Sequence, residues 1–186
     1  MLSRSALLPA LLSLLPACTT LDPSHGSLEG GSCGSASPAP DIGPWSADAA
    51  LFEQRVLELS NEERAQGGCC GARCFEPSAA LTLDQNLQVS ARLHARDMAI
   101  RDFFSHETPD GDTMVDRVHA AGFAGCAAGE NIAQGQQSPE QVVESWMSSE
   151  GHCANILSSD FTALGVGYFD QESQPQRHLW VQNFGG

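Results

Sequence analysis

The chain has 186 residues, which is enough for one domain together with targeting and linker segments. Its 23 acidic residues outnumber its 9 arginines, it contains no lysine, and its formal net charge is −14. A field of that sign repels phosphate backbones, so the composition argues against a nucleic-acid partner.

Residues 1–17 predict a signal peptide. Arg4 supplies the positive charge, and the apolar stretch at residues 7–15 is too short to span a bilayer. The segment that ends at Cys18 resembles a bacterial lipobox. We therefore expect Cys18 to be lipidated and to anchor the mature protein to a bacterial membrane; the alternative is an ordinary cleaved signal peptide.

Residues 18–46 are rich in Ser, Gly and Pro and predict a flexible linker. The folded domain is then expected at residues 47–186. Beyond Cys18 six cysteines remain, and an even number in an exported chain favours disulfides over a metal site. They are Cys33, Cys69, Cys70, Cys74, Cys126 and Cys153.

A first helix is predicted over residues 47–66, ended by Gly67 and Gly68. Glu53 is expected to lie off its apolar stripe. That stripe consists of Leu51, Phe52, Val56 and Leu59.

Asp84 is the predicted N-cap of a second helix, which runs to about Arg101. His94 lies near the apolar stripe of this helix, and we expect it to be a packed or surface residue rather than part of a site. After a loop at residues 103–111, a short helix is predicted over residues 114–121.

The last third of the chain predicts a mixture of helix and strand. Ser138 is a good N-cap for a helix that ends at Met147, and Gly165 and Gly167 indicate close backbone approach within a strand. The other predicted elements are a loop or strand at 125–137, a helical turn at 154–157, strands at 164–169 and 178–184, and a turn at 170–176.

Two polar clusters flank the helix that Ser138 begins. One is Gly129-Glu130-Asn131 and the other is Glu150-Gly151-His152. His106 lies in the earlier loop beside Gly and Pro turn residues. A glutamate between two histidines, each beside turn formers, suggests one polar pocket.

Five stretches in this order resemble the CAP superfamily, in its bacterial SCP-like extracellular form. They read FFSHETPDG, GENIAQG, VVESWMSSEGHCANIL, FTALGVGYF and LWVQNFG. The resemblance covers roughly residues 50–186. It implies an α+β fold, a three-layer α-β-α sandwich with a central antiparallel sheet.

Members of this superfamily place two histidines and two acids in a surface cleft. By motif, His106, Glu130 and His152 match three of these positions. Ser149 stands where many members carry the second acid, which leaves Glu150 or Glu144 as candidates for the fourth cleft residue.

Two imidazoles and a carboxylate suit zinc, with water completing the ligand shell. We therefore expect His106, His152 and Glu130 to bind a divalent cation, with Glu130 as ligand or as the acceptor that orients an imidazole, and no organic cofactor. The alternatives are acid–base chemistry at the same residues and a purely structural hydrogen-bond network. Because the resemblance puts Glu130 and His152 in one cleft, we also expect a disulfide between Cys126 and Cys153.

The function that follows is an exported, membrane-anchored ligand-binding or effector module for a lipid or peptide. A metal-dependent, protease-like hydrolase is one alternative, although the chain contains no recognised nucleophile motif. A lipid- or sterol-binding module is the other, because four aromatic residues could line an apolar groove, although such residues more often belong to the core. They are Phe103, Phe104, Phe123 and Trp146.

Overall fold

The computed structural model of the protein describes residues 38–171 and 178–186. The predicted signal peptide, Cys18, most of the predicted linker and most of the predicted turn at 170–176 lie outside the described residues. No helix in the described part of the chain is long and apolar enough to cross a bilayer.

The described part of the chain contains five helices and six strands, and most of the predicted helix bounds agree with the structure. In chain order they are α1 (Ala47–Gln66), β1 (Gly68–Cys70), β2 (Arg73–Phe75), β3 (Thr82–Leu83), α2 (Gln85–Arg101), α3 (Met114–Ala120), β4 (Ala127–Gln134), α4 (Pro139–Met147), α5 (Glu150–Leu157), β5 (Ala163–Asp170) and β6 (His178–Gly185).

The main sheet has the strand order β3-β5-β6-β4. Strands β4, β5 and β6 pair antiparallel, whereas the two-residue edge strand β3 pairs parallel with β5. Helices α1, α4 and α5 pack on one face, and α2 and α3 pack on the other. The expected three-layer α-β-α sandwich is confirmed, and the sheet is antiparallel except at β3.

Helix α1 has the predicted bounds, and Phe52, Val56 and Leu59 of the predicted stripe pack in the core, but the buried face includes Glu53 and excludes Leu51. Leu51 is 63% exposed, whereas the Glu53 side chain is fully buried. The Glu53 carboxylate accepts hydrogen bonds from Arg92 Nη2 (2.5 Å), Trp45 Nε1 (2.9 Å) and the Tyr168 backbone N–H (3.0 Å). Burial raises its pKa, and Arg92 offsets part of that rise. The prediction that Glu53 lies off the buried face was wrong, because a partner on α2 permits its burial.

The disulfides differ from the expected pairing. Cys69–Cys74 closes the β1–β2 hairpin, and Cys70–Cys153 joins this hairpin to α5. The predicted Cys126–Cys153 bond was therefore wrong, although Cys126 is itself disulfide-bonded. Cys70 and Cys153 are both buried where the hairpin packs against α5, which brings together residues 83 positions apart.

Helix α5 begins earlier than the predicted turn at 154–157. It starts at Glu150 with Ser149 as N-cap, so His152 lies in the first turn of a helix rather than in a loop. Downstream, Gly165 and Gly167 of β5 lie against the backbone of α2, as their positions in the strand predicted. A Cβ atom at Gly165 would lie 2.1 Å from Gln88 N.

The contact between β5 and α2 gives the first prediction. In Gly167→Ala the new Cβ would lie 2.3 Å from the Ala91 carbonyl carbon, so helix and strand must separate. We expect the free energy of unfolding to fall by about 3 kcal/mol, measured by denaturant unfolding with the disulfides intact. The matched control is Gly151→Ala in α5, where the methyl group meets open space and should stabilise the helix by about 0.5–1 kcal/mol. Equal stabilities for the two variants would contradict this packing.

Candidate functional site

The Gly129-Glu130-Asn131 segment lies inside β4, where side chains alternate between the two faces of the sheet. Glu130 pairs with Asn183, and Asn131 pairs with Gln182 on β6. Glu130 bonds to α3 through Arg117, whereas Asn131 donates to the His152 carbonyl on α5. The strand therefore directs the carboxylate to one helical layer and the amide to the other.

Both oxygens of the Glu130 carboxylate have partners. Oε1 lies 2.8 Å from His106 Nδ1, and Oε2 accepts a 2.6 Å bond from Arg117 Nη2. In the amide orientation that satisfies its neighbours, Asn183 also donates to Oε2 at 2.9 Å. We call these four residues the Glu130 cluster. With its side chain only 3% exposed, Glu130 acts as a buried acceptor.

This arrangement fixes which nitrogen of His106 faces outward. Because a carboxylate accepts hydrogen bonds, the neutral form of the His106 ring carries its proton on Nδ1 and has its free lone pair on Nε2. The His106 side chain is 57% exposed, so a ligand can reach it. A histidine oriented by a carboxylate in this way is a common arrangement around metal ions.

Arg117 is the residue of the site that the sequence analysis missed. It reaches Glu130 from α3, and its Nη1 also donates to the carbonyls of His106 (2.7 Å) and Asp112 (3.2 Å). The motifs of the resembled family name histidines and acids but no arginine. The available signal was physical, because a buried carboxylate requires a cation or several donors nearby.

The loop that carries His106 is held on both sides of that residue. His94 Nε2 lies 2.9 Å from the Ser105 carbonyl, and Arg117 binds the next carbonyl along the chain. His94 is buried and packs against the Phe103 ring, so it is one of the packed residues expected on this helix. Burial is the main cause that lowers its pKa, and the neutral ring donates to Ser105.

His152 approaches the site from the other helical layer. Burial lowers its pKa, and the charge of His106 lowers it further. His152 therefore favours the neutral form, which is the form of an imidazole that can bind a metal. The Cys70–Cys153 bond and the hydrogen bond from Asn131 fix the backbone beside it.

The two candidates for the fourth cleft residue have described neighbours outside the Glu130 cluster. The Glu150 carboxylate lies over Gly71 of the β1–β2 turn, and a Cβ atom at that glycine would meet its Oε1 at 2.1 Å. Glu144 lines a polar groove with Gln137 and Gln141. Within residues 38–171 and 178–186, no three His, Cys, Asp or Glu side chains form a group that could hold a metal ion. The three-ligand set of His106, His152 and Glu130 stays a prediction.

The four aromatic residues considered for an apolar groove do not share one, although Phe103 and Phe104 both line one small cavity. Trp146 is buried with α1 and α4 on one side of the sheet, and its Nε1 donates to the Ile132 carbonyl. Phe123 is buried with Leu87 and Val118 in the layer that contains α2 and α3. The sheet separates the two rings, so the four residues do not form one groove, and Trp146 and Phe123 are core residues.

Known proteins resemble this chain over most of the described fold. A model of the cysteine-rich secretory protein family matches residues 58–184. The chain belongs to that family. The Bacillus subtilis protein YkwD is 39% identical over 140 residues, which cover 75% of this chain and 49% of YkwD.

Solved structures agree with this assignment. An extracellular protein containing an SCP domain from Bacillus anthracis is 30% identical, with a TM-score of 0.64 over 77% of this chain and 44% of that protein. An outer surface protein of Borrelia burgdorferi is 19% identical, with a TM-score of 0.58 over 74% of this chain and 91% of that protein, and it supports the fold alone. The chain spans about half of YkwD and less than half of the Bacillus anthracis protein.

The Glu130 cluster gives the second prediction. Arg117→Ala leaves Glu130 buried without its cation, so we expect the free energy of unfolding to fall by about 3–5 kcal/mol in denaturant titration. Arg55→Ala is the matched control, because Arg55 also pairs with acids but at an exposed position, and the unfolding midpoint should barely change. Combining Arg117→Met with Glu130→Gln should recover part of the loss. If Arg117→Ala is as stable as the control, the cluster does not stabilise the fold.

Proposed function

We propose that this SCP domain is an exported binding module, anchored to a bacterial membrane, whose cleft holds a divalent metal ion between His106 and His152. The signal-like residues 1–17 support export, as does the relative from Bacillus anthracis, which is described as extracellular. Cys18 is the proposed point of anchorage.

The geometry of the Glu130 cluster carries the proposed metal site. His106 Nδ1 is hydrogen-bonded to Glu130, so the outward Nε2 can act as a ligand. Both oxygens of Glu130 are already engaged by His106 and Arg117. We therefore assign Glu130 the role of orienting acceptor, one of the two roles that the sequence left open, rather than that of ligand.

The donor set is suited to zinc. His106 and His152 would supply neutral imidazole nitrogens, and water would complete the shell. A shell with only two protein ligands leaves positions open for a ligand from outside the protein, and it implies modest affinity. The acidic composition of the chain also attracts cations.

Zinc titration of the folded protein tests this proposal. Calorimetry should show one zinc site per chain, which is lost in His106→Ala and in His152→Ala. Binding should weaken as the pH falls below about 6, because a protonated imidazole is not a ligand. The lowered pKa of His152 keeps that residue neutral to a lower pH than an ordinary histidine.

His119→Ala is the matched control, since His119 is an exposed histidine on α3 and should leave zinc binding unchanged. Circular dichroism and unfolding midpoints establish that each variant is folded. If both cleft variants are folded and bind zinc as the parent does, the cleft is not the metal site. Cleavage of a peptide library that requires zinc and His106 would favour the hydrolase alternative over a binding module.

Metabolic labelling with a fatty-acid analogue tests the proposed anchor. Wild-type protein should incorporate the label and sediment with membranes, whereas Cys18→Ser should do neither, because the acylated terminus supplies the membrane affinity. Equal labelling of the two proteins would contradict anchoring through Cys18.

A further inference from the structure

A second cavity lies on the α2 and α3 side of the sheet. Its volume is about 570 Å³, within the range of small-molecule sites. It is lined by α2, α3, the loop at residues 108–112 and Pro40, and neither His106 nor His152 is among its lining residues. The cavity is therefore separate from the proposed metal site, and its occupant does not depend on that proposal.

The walls of this cavity are apolar over much of their area. Ile100 is 64% exposed and is one of the few large hydrophobic side chains that the described residues leave in contact with solvent. Leu93, Ala120 and Ala121 extend the same surface. An apolar wall of this kind favours a ligand that can bury its own apolar part.

The three arginines that line the cavity differ in whether they have ion-pair partners. Arg101 pairs with Asp97 (3.4 Å) and Asp110 (2.5 Å), and Arg117 pairs with Glu130 (2.6 Å). Arg96 is half-buried, and among the contacts of the described residues it has no hydrogen bond or ion pair. One guanidinium beside the apolar wall is therefore free to take an anion.

We propose that this cavity binds a small amphipathic carboxylate, a molecule with a carboxylate group on a short apolar body. The apolar body lies against Ile100 and Leu93, and the carboxylate pairs with Arg96. A guanidinium presents parallel N–H groups that match the two oxygens of a carboxylate, which favours this group over an alcohol or an amine.

Such a ligand would also lie beside the residues that hold the Glu130 cluster. Arg117 and Asp112 both line the cavity, and the Arg117 guanidinium binds Glu130 and the carbonyl of His106. Occupancy of the cavity should therefore change the surroundings of His106, which NMR can detect without a metal ion.

Calorimetry and amide NMR of the full mature chain test the proposal with four probes. Octanoate represents an alkyl carboxylate and N-acetyl-leucine a peptide-like one, while octanol and octylammonium lack the carboxylate. At least one carboxylate should bind and shift the amide signals of α2 and α3. Octanol and octylammonium should bind about 10-fold more weakly or not at all, since a hydrogen bond to a charged partner contributes roughly 1.5–3 kcal/mol.

Two variants and one control locate the binding. Arg96→Gln should weaken the carboxylate at least about 10-fold and leave octanol nearly unchanged. Ile100→Glu should weaken octanoate, N-acetyl-leucine and octanol, which identifies this cavity, because Arg96 also borders a second pocket beside Trp45 but Ile100 does not. Arg73→Gln, in the β1–β2 hairpin, should bind like the parent. The proposal is overturned if neither carboxylate binds, if octanol binds as well as octanoate, or if binding survives Ile100→Glu.

Discussion

The pairing of β4 with β6 at two adjacent polar positions is the constraint on which the site depends. Glu130 opposes Asn183 on one face of the sheet, and Asn131 opposes Gln182 on the other. Buried groups of this kind are tolerated only when they are hydrogen-bonded, so each pair also fixes its neighbours. Asn131 donates to Gln182, and Gln182 in turn donates to Ser60 of α1. A one-residue shift in the pairing of β4 with β6 would turn each of these side chains to the opposite face of the sheet and break the hydrogen bonds on both faces.

The candidate site forms where the hydrogen bonds of Glu130 and Asn131 reach the two histidines. Glu130 receives His106 and Arg117, while Asn131 holds the His152 carbonyl from the other side of the strand. One strand thus positions two histidines that come from different layers of the sandwich. His106 lies in a loop, but hydrogen bonds on its ring, its own carbonyl and the preceding carbonyl restrict its position. A loop residue held by a rigid scaffold in this way is typical of a functional site.

The hydrophobic and capping patterns correctly predicted features that depend on residues close together in the chain. The bounds of α1 and the caps at Asp84 and Ser138 follow from residues a few positions apart, and the glycines within β5 indicated the close approach at Gly167. The missed features join residues that are distant in the chain. Glu53 and Arg92 are 39 positions apart, Arg117 and Glu130 are 13 apart, and Cys70 and Cys153 are 83 apart. The pattern of a single segment carries no information about such partners, so burial of Glu53 and the pairing of Cys153 could not be predicted.

Glu130 orients the His106 ring so that Nε2 faces outward. Long-range proton–nitrogen NMR of the imidazole rings tests it most directly, because it reports which nitrogen carries the proton. At a pH where the ring is neutral, His106 should carry its proton on Nδ1, and its Nε2 signal should shift when zinc is added. A neutral His106 with its proton on Nε2, or an Nε2 signal that zinc leaves unchanged, would contradict it.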